Sequence, residues 1–471
     1  MHFKLPDLYE ASITELQRGL RLGFFTSVHL VKVAHRDSRQ EAYLARIEEV
    51  NYKGPKLCAV IETNPQALEQ AAEADDERKR SLKNLGILHG IPILVKDNIA
   101  TKHEEGSHAL VSSVVPRDAT VVRRLREAGA IIIGKTNLSE WASYRGVVPS
   151  GWSGREGQGT SPYYPLLDPS GSSSGSAVAA AIGLAAGALG TETTGSITLP
   201  ASNNNVVGIK PTVGLTSRAG VIPISSHQDS VGPMARTVED IAIILSAIVG
   251  PDALDPATLA QPTPTLNYRE ALNFYALRGA RLGVPRKFQS RDEAVNAAFN
   301  QAIEIMRARG AVIVDPAEFP DADEIQNSTS ESVVLAVDFK VHKWCLILFI
   351  ASEATTVDEE YYAALATKED LGRTRGIDAT LKKYDLDAIL LPAPVPLGFQ
   401  PQDLVPTAPS PTIKKAPGAP FGISFSGSAF SEFKLISLAF AYEQATLARL
   451  GRRAYEEAIP VTQLKDVMEN N

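Results

Sequence analysis

Cysteine is nearly absent from this chain of 471 residues: Cys58 and Cys345 are the only two, and neither stands at metal-ligand spacing from another candidate. Two thiols cannot build a disulfide framework, and a structural zinc site of cysteines and histidines is excluded with it, so no metal is expected. Long hydrophobic runs are missing too. No stretch reaches the ~18 consecutive apolar residues of a membrane span, and the densest aromatic and aliphatic cluster, 341–350, is far too short. The opening Met-His-Phe-Lys-Leu-Pro carries neither an apolar signal core nor an acylation motif, which makes a cytoplasmic protein the expectation. There is no long basic block and the formal net charge is −7, so nucleic acid is not the expected partner. The mixed charges from Glu73 to Arg80 read as a solvated helix face.

What is present suits an enzyme. With 44% apolar and 21% charged residues, the chain can bury a large core, and its length alone suggests two or three domains. Apolar runs at 57–62, 91–95, 130–134, 281–284, 311–314, 388–391 and 422–426 read as strands. Helical patterns fill the gaps, notably at 65–83, 120–128, 238–248, 293–309, 358–383 and 431–449. Such alternation predicts an α/β fold, a mixed sheet sandwiched between helices, with chemistry at strand ends and loops.

Two clusters of glycine and hydroxyl residues stand out. Asp168-Pro-Ser-Gly-Ser-Ser-Ser-Gly-Ser176 runs into an alanine-rich stretch, and Gly190-Thr-Glu-Thr-Thr-Gly-Ser196 follows it. Residues 176–189 are apolar nearly all round and predict a buried helix with Ser174 or Ser176 near its N-cap. The hydroxyls of Ser172 to Ser174 would then crowd a helix N-terminus, where free N–H groups favour negative charge. In Thr-Gly-Ser-Ile, glycine lets the backbone bend towards a substrate and present N–H groups to an oxyanion. A serine nucleophile needs a base, yet the eight histidines, at 2, 29, 35, 89, 103, 108, 227 and 342, include none in a nucleophile-elbow arrangement. Lys96, at the end of the branched run Gly90-Ile-Pro-Ile-Leu-Val-Lys, is the alternative: a lysine buried there loses solvation, its pKa falls and a neutral amine becomes available.

Each feature has a bland counterpart. A glycine-serine run is most often a linker, but this one lies between structured patterns. Lys96 by itself would more often be a strand-end lysine paired with a carboxylate such as Asp97, and Ser172 and Ser196 could merely cap turns. A phosphate-binding loop is a poor reading, since no Gly-Lys-Ser/Thr follows.

At these residues the chain resembles the amidase signature family, above all fungal and bacterial amidases with a serine-rich loop. The likeness is carried by Leu88-His-Gly-Ile-Pro-Ile-Leu-Val-Lys-Asp-Asn98, Gly134-Lys-Thr-Asn-Leu-Ser-Glu-Trp141, Gly171-Ser-Ser-Ser-Gly-Ser176, Gly190-Thr-Glu-Thr-Thr-Gly-Ser-Ile197 and Val207-Gly-Ile-Lys-Pro-Thr-Val-Gly214, extended by 219–224 and 229–240. It runs from about Leu5 to about Thr446 and implies one large α/β domain over 1–471. The resemblance also implies a Ser–cis-Ser–Lys triad: Ser196 as nucleophile, Ser172 as the bridging serine in a cis peptide, Lys96 as the base acting through it. The backbone N–H groups of Thr193, Thr194, Gly195 and Ser196 would form the oxyanion hole, and Ser173 would support Ser172 by hydrogen bonding. The implied activity is cofactor-free hydrolysis of a small-molecule carboxylic amide through an acyl-enzyme; a homodimer is compatible with it.

The chain departs from the family pattern in places. An insert lies between Lys32 and Ala42, the loop 101–107 is short, and Thr194 stands where many members have glycine; a β-branched residue there resists positive φ. Residues 392–420 hold nine prolines, where the family has a strand that walls the acyl pocket, and such a segment cannot be an interior strand. Two other readings stay open: an amidotransferase A-type subunit releasing ammonia for a partner, and a catalytically impaired scaffold.

Overall fold

The computed structural model describes residues 4–31, 42–80, 85–102, 115–144, 148–341, 355–393 and 418–468. The insert after Lys32, most of the loop 101–107, most of the proline-rich segment and the cluster 342–350 with Cys345 lie outside these residues.

The branched apolar runs at 91–95, 130–134 and 388–391 become strands buried on both faces, as a sheet covered by helices requires, whereas those at 311–314 and 422–426 form partly exposed strands. In chain order the strands are β1 (Val60–Thr63), β2 (Pro92–Lys96), β3 (Ile131–Thr136), β4 (Trp152–Ser153), β5 (Gly157–Gln158), β6 (Gly187–Glu192), β7 (Val207–Gly208), β8 (Ser230–Ala235), β9 (Arg281–Gly283), β10 (Val312–Val314), β11 (Ala388–Pro392) and β12 (Ile423–Ser426). Among the described residues, six form a mixed sheet in the order β1-β3-β2-β6-β8-β7 and four form a second in the order β10-β9-β11-β12. In the first sheet β2 runs parallel to both β3 and β6, while β6 and β8 are antiparallel. The sheets are tied together where Glu432, at the start of helix Glu432–Thr446, accepts the Thr212 N–H at 2.6 Å.

The predicted helix over 176–189 is corrected. The helix spans Ser174–Ala181, its N-cap residue is Ser173, and the chain leaves it at once to form the central strand β6. The all-round apolar pattern is the same for a fully buried helix and a strand buried on both faces, and only packing separates them. In β6 the small residues admit close neighbours: a Cβ on Gly187 would lie 2.6 Å from Ile244 of the helix Val238–Ile248, and one on Gly190 would lie 2.9 Å from the Ser173 hydroxyl. Three arginines answer the carbonyls at the end of the buried helix. Arg236 donates to Ala180 O at 2.9 Å, Arg449 to Ala181 O at 3.0 Å and Arg46 to Ile182 O at 2.8 Å, so the helix end is satisfied inside the core.

The reversal between helix and strand turns on Gly183, with φ at +68° and the position of an added Cβ only 2.1 Å from Leu8 O. Gly183→Ala should therefore cost about 2 kcal/mol or more, read as a clear fall in the thermal unfolding midpoint; an unchanged midpoint would contradict this packing.

Two smaller expectations also shift. The strand expected from Leu57 starts at Val60, because Cys58 holds a positive φ of 50°. The helix expected over 358–383 is broken by a wider turn at 370–377, with Gly376 outside helical geometry.

Candidate active site

Lys96 ends β2 in the middle of the six-stranded sheet and is 0% exposed. Its Nζ has three oxygen partners: Ser172 Oγ at 2.8 Å, Thr191 Oγ1 at 2.9 Å and Thr191 O at 3.2 Å. Asn98 Nδ2 donates to the same Thr191 hydroxyl at 3.0 Å, which holds that side chain against the lysine. Burial pushes the Lys96 pKa down to about 7, against the opposing pull of Glu192 and Asp229. Desolvation outweighs the carboxylates because neither touches the amine. A neutral amine keeps two donors for Thr191 and turns its lone pair to Ser172.

The Gly171–Ser172 peptide is cis, and Ser172 is fully buried. Its carbonyl accepts the Ser139 N–H at 3.1 Å. Ser173 Oγ pairs with the backbone of Thr191, donating to its O at 3.1 Å and accepting its N–H at 3.2 Å, rather than with Ser172. The Ser173 N–H reaches across to Ser196 O at 3.0 Å, which joins the two glycine-hydroxyl clusters through backbone. Ser196 is partly exposed and, among the described residues, its hydroxyl has no hydrogen-bond partner. The fold thus holds Lys96 and Ser172 in direct contact and ties the Ser196 backbone to the neighbouring Ser173, with the Ser196 hydroxyl unengaged.

The turn after β6 is ordered by a residue to which the sequence reading assigned no role. Glu192 is 5% exposed, and its carboxylate accepts the N–H groups of Gly195 at 2.7 Å, Ile197 at 2.7 Å and Thr198 at 2.9 Å. Its signal was available: a lone acidic residue closing a buried small-residue strand needs donors. One consequence is a correction to the expected hole, since the Gly195 N–H is spent on Glu192. The N–H groups of Thr193, Thr194 and Ser196 find no acceptor among the described residues. The positive φ of the turn, +77°, falls on Gly195 and not on Thr194, so the β-branched residue is accommodated without strain.

Side chains of the same turn are pinned from outside. Thr193 Oγ1 donates to Asp229 at 2.5 Å, and Asp229 also accepts the N–H groups of Ile224 at 2.7 Å and Ser225 at 2.9 Å. Burial raises the Asp229 pKa, partly offset by these donors. Thr194 Oγ1 donates to Glu331 at 2.6 Å. Beyond the turn, Asp338 accepts from Ser225 Oγ at 2.5 Å, Tyr361 OH at 2.8 Å and His227 Nδ1 at 2.9 Å. These bonds tie the helices Ser330–Val341 and Glu359–Glu369 to the loop carrying Asp229.

Removing the Glu192 carboxylate orphans two buried N–H groups and a half-buried one, at ~1–3 kcal/mol for each buried group. Glu192→Ala is expected to lose about 3 kcal/mol of stability or more and to depress turnover, with Glu192→Gln between it and the parent; thermal unfolding and initial rates check both. No group of three or more His, Cys, Asp or Glu among the described residues is placed to hold a metal. Burial pushes the Cys58 thiol up to about 11, which removes it as a thiolate nucleophile. No described helix is long and apolar enough to cross a membrane.

A cavity of about 690 Å³ borders this turn, lined by Thr193, Thr194, Gly195 and Gln228 together with apolar residues including Leu199 and Phe425.

This chain is similar to a "Probable amidase" of Arabidopsis thaliana, at 42% identity over 94% of this chain and 91% of the plant protein. Its structure is similar to that of native peptide amidase from Stenotrophomonas maltophilia, with a TM-score of 0.82 and 38% identity over 95% of this chain and 98% of that one. The similarity extends to a peptide amidase in complex with the competitive inhibitor chymostatin, with a TM-score of 0.83 and 38% identity over 95% and 99% of the two chains. The Amidase family profile matches residues 40–373, and on this extent of match, over the segments that build the site, the chain belongs to the amidase family.

Proposed function

We propose that this amidase hydrolyses the terminal carboxamide of peptidyl or N-acylaminoacyl amides through a serine acyl-enzyme. The observation that carries the reading is the buried Lys96 amine 2.8 Å from Ser172 Oγ. Neutral Lys96 takes the Ser172 proton while Ser172 takes that of Ser196, whose Oγ attacks the carbonyl carbon. The N–H groups of Thr193, Thr194 and Ser196 receive the charge that develops on the carbonyl oxygen. As the C–N bond breaks, the relay returns the proton to the departing nitrogen, which leaves as ammonia. Water, deprotonated by the same relay, then splits the Ser196 ester and frees the acid. The substrate class is supported by the size and largely apolar lining of the cavity at the turn and by the two similar peptide amidase structures.

Ammonia release by the purified chain from N-acetylphenylalaninamide, acetamide and glutamine tests this. Turnover of the first well above the second is expected. Turnover of glutamine alone would put an ammonia-supplying role in its place, and turnover of none would leave the scaffold reading.

A further inference from the structure

Two buried acceptors beside the candidate hole have no donor. Glu331, in the first turn of helix Ser330–Val341, is 4% exposed; its Oε1 accepts from Thr194 Oγ1 at 2.6 Å and from Gln228 Nε2 at 2.6 Å, while its Oε2 has no partner among the described residues. Gln228 spends its amide nitrogen on Glu331 and on Thr194 Oγ1, at 3.1 Å, and its Oε1 is likewise buried and unpaired. Buried polar atoms are nearly always paired, because desolvation without a partner is costly. Here two oxygens of one hydrogen-bonded cluster share that condition.

The cluster borders the cavity at the turn through Thr194 and Gln228, with Glu331 buried behind them. Thr194 is two residues from Ser196, at most ~7 Å between Cα atoms, and Thr194 and Gln228 both line the cavity at the turn. The half-buried Lys368 is the lysine that feels the charge of Glu331 most, but among the described residues no lysine or arginine stands within ion-pair distance of its carboxylate. Lys210, the cation beside Gln228, is already bound to Gln228 O at 2.9 Å and Ser230 Oγ at 3.2 Å. Asp229 and Asp338 add negative charge nearby and so favour a donor over another acceptor. Ammonia, the departing group, is too small to fill a cavity of about 690 Å³, so the donor belongs to the acyl half of the substrate.

Resting on the function proposed above, we infer that Gln228 and Glu331 form a specificity subsite that reads an N–H group on the carbon next to the scissile carbonyl. It selects aminoacyl and peptidyl amides over amides with a plain or oxygen-substituted acyl chain. The polar atoms left unpaired by a substrate lacking the donor supply the discrimination.

The test compares kcat/KM for N-acetylphenylalaninamide with that for its ester analogue, O-acetyl-3-phenyllactamide, which keeps the scissile carboxamide and replaces the N–H by oxygen. The parent enzyme should prefer the N–H substrate by about 30-fold or more. Gln228→Met, and separately Glu331→Gln, should each cut that ratio at least fivefold, whatever happens to the absolute rates. A parent ratio near one, or a ratio unchanged in both variants, overturns the subsite while leaving the amidase reading intact. If neither variant folds, the parent ratio decides alone. If the parent cleaves neither compound, the proposed function fails and the subsite falls with it.

Discussion

Replacing Ser196 by alanine should abolish ammonia release and covalent labelling by a fluorophosphonate, a loss of about 10⁴-fold or more in kcat/KM. The phosphonylating reagent needs an activated serine and little of the acyl pocket, so it reports on the nucleophile independently of substrate choice. Lys96→Ala should fall by a comparable factor, because the hydroxyl is then without its base. Ser172→Ala should also slow labelling by breaking the path between a buried amine and a partly exposed hydroxyl. Residues that act as one relay are far from additive, so Lys96→Ala/Ser172→Ala should be little worse than the poorer single variant. Peptide mapping checks the site of modification; a folded protein labelled elsewhere, or not at all, would remove the proposed mechanism.

The second large effect is on pH. The proposed base is the neutral amine, so activity must be lost as Lys96 gains a proton. Because burial pushes its pKa down to about 7, kcat/KM should fall about tenfold per pH unit below that point and level off above it. A lysine at its ordinary value would instead give a profile still rising towards pH 10. A maximum near pH 5 would point to carboxylates, with Asp229, whose pKa burial raises, the nearest candidate. The profile of Glu192→Gln separates a direct role from an ordering one: loss of rate with an unmoved midpoint means that Glu192 shapes the turn.

How far the sequence could be read depended on whether a property was local. Lys96 after Ile93-Leu94-Val95 is legible as a buried lysine because a doubly covered strand leaves its last residue no route to water. The helix 238–248 was legible to the residue, since Thr237 caps it by accepting the Asp240 N–H at 3.0 Å and its apolar residues keep helical spacing. Residues 187–192 were not, because alanine and glycine carry no period that tells helix from strand. Their strand character comes from pairing with β2 on one side and β8 on the other.

The site divides along the same line. Sequence by itself determined the chemical inventory: a lysine on a buried strand, two hydroxyl clusters, a glycine where the turn needs positive φ, and no thiol or histidine arrangement to compete with them. Only the tertiary structure decided which of these groups are free to act. Glu192 takes the Gly195 N–H, Thr191 and Ser172 share the Lys96 amine, and Glu331 approaches Thr194 from a helix 137 residues further along the chain. Residue type and local spacing set what a group can donate or accept, but whether that capacity is already spent depends on partners that close packing brings in from distant parts of the chain.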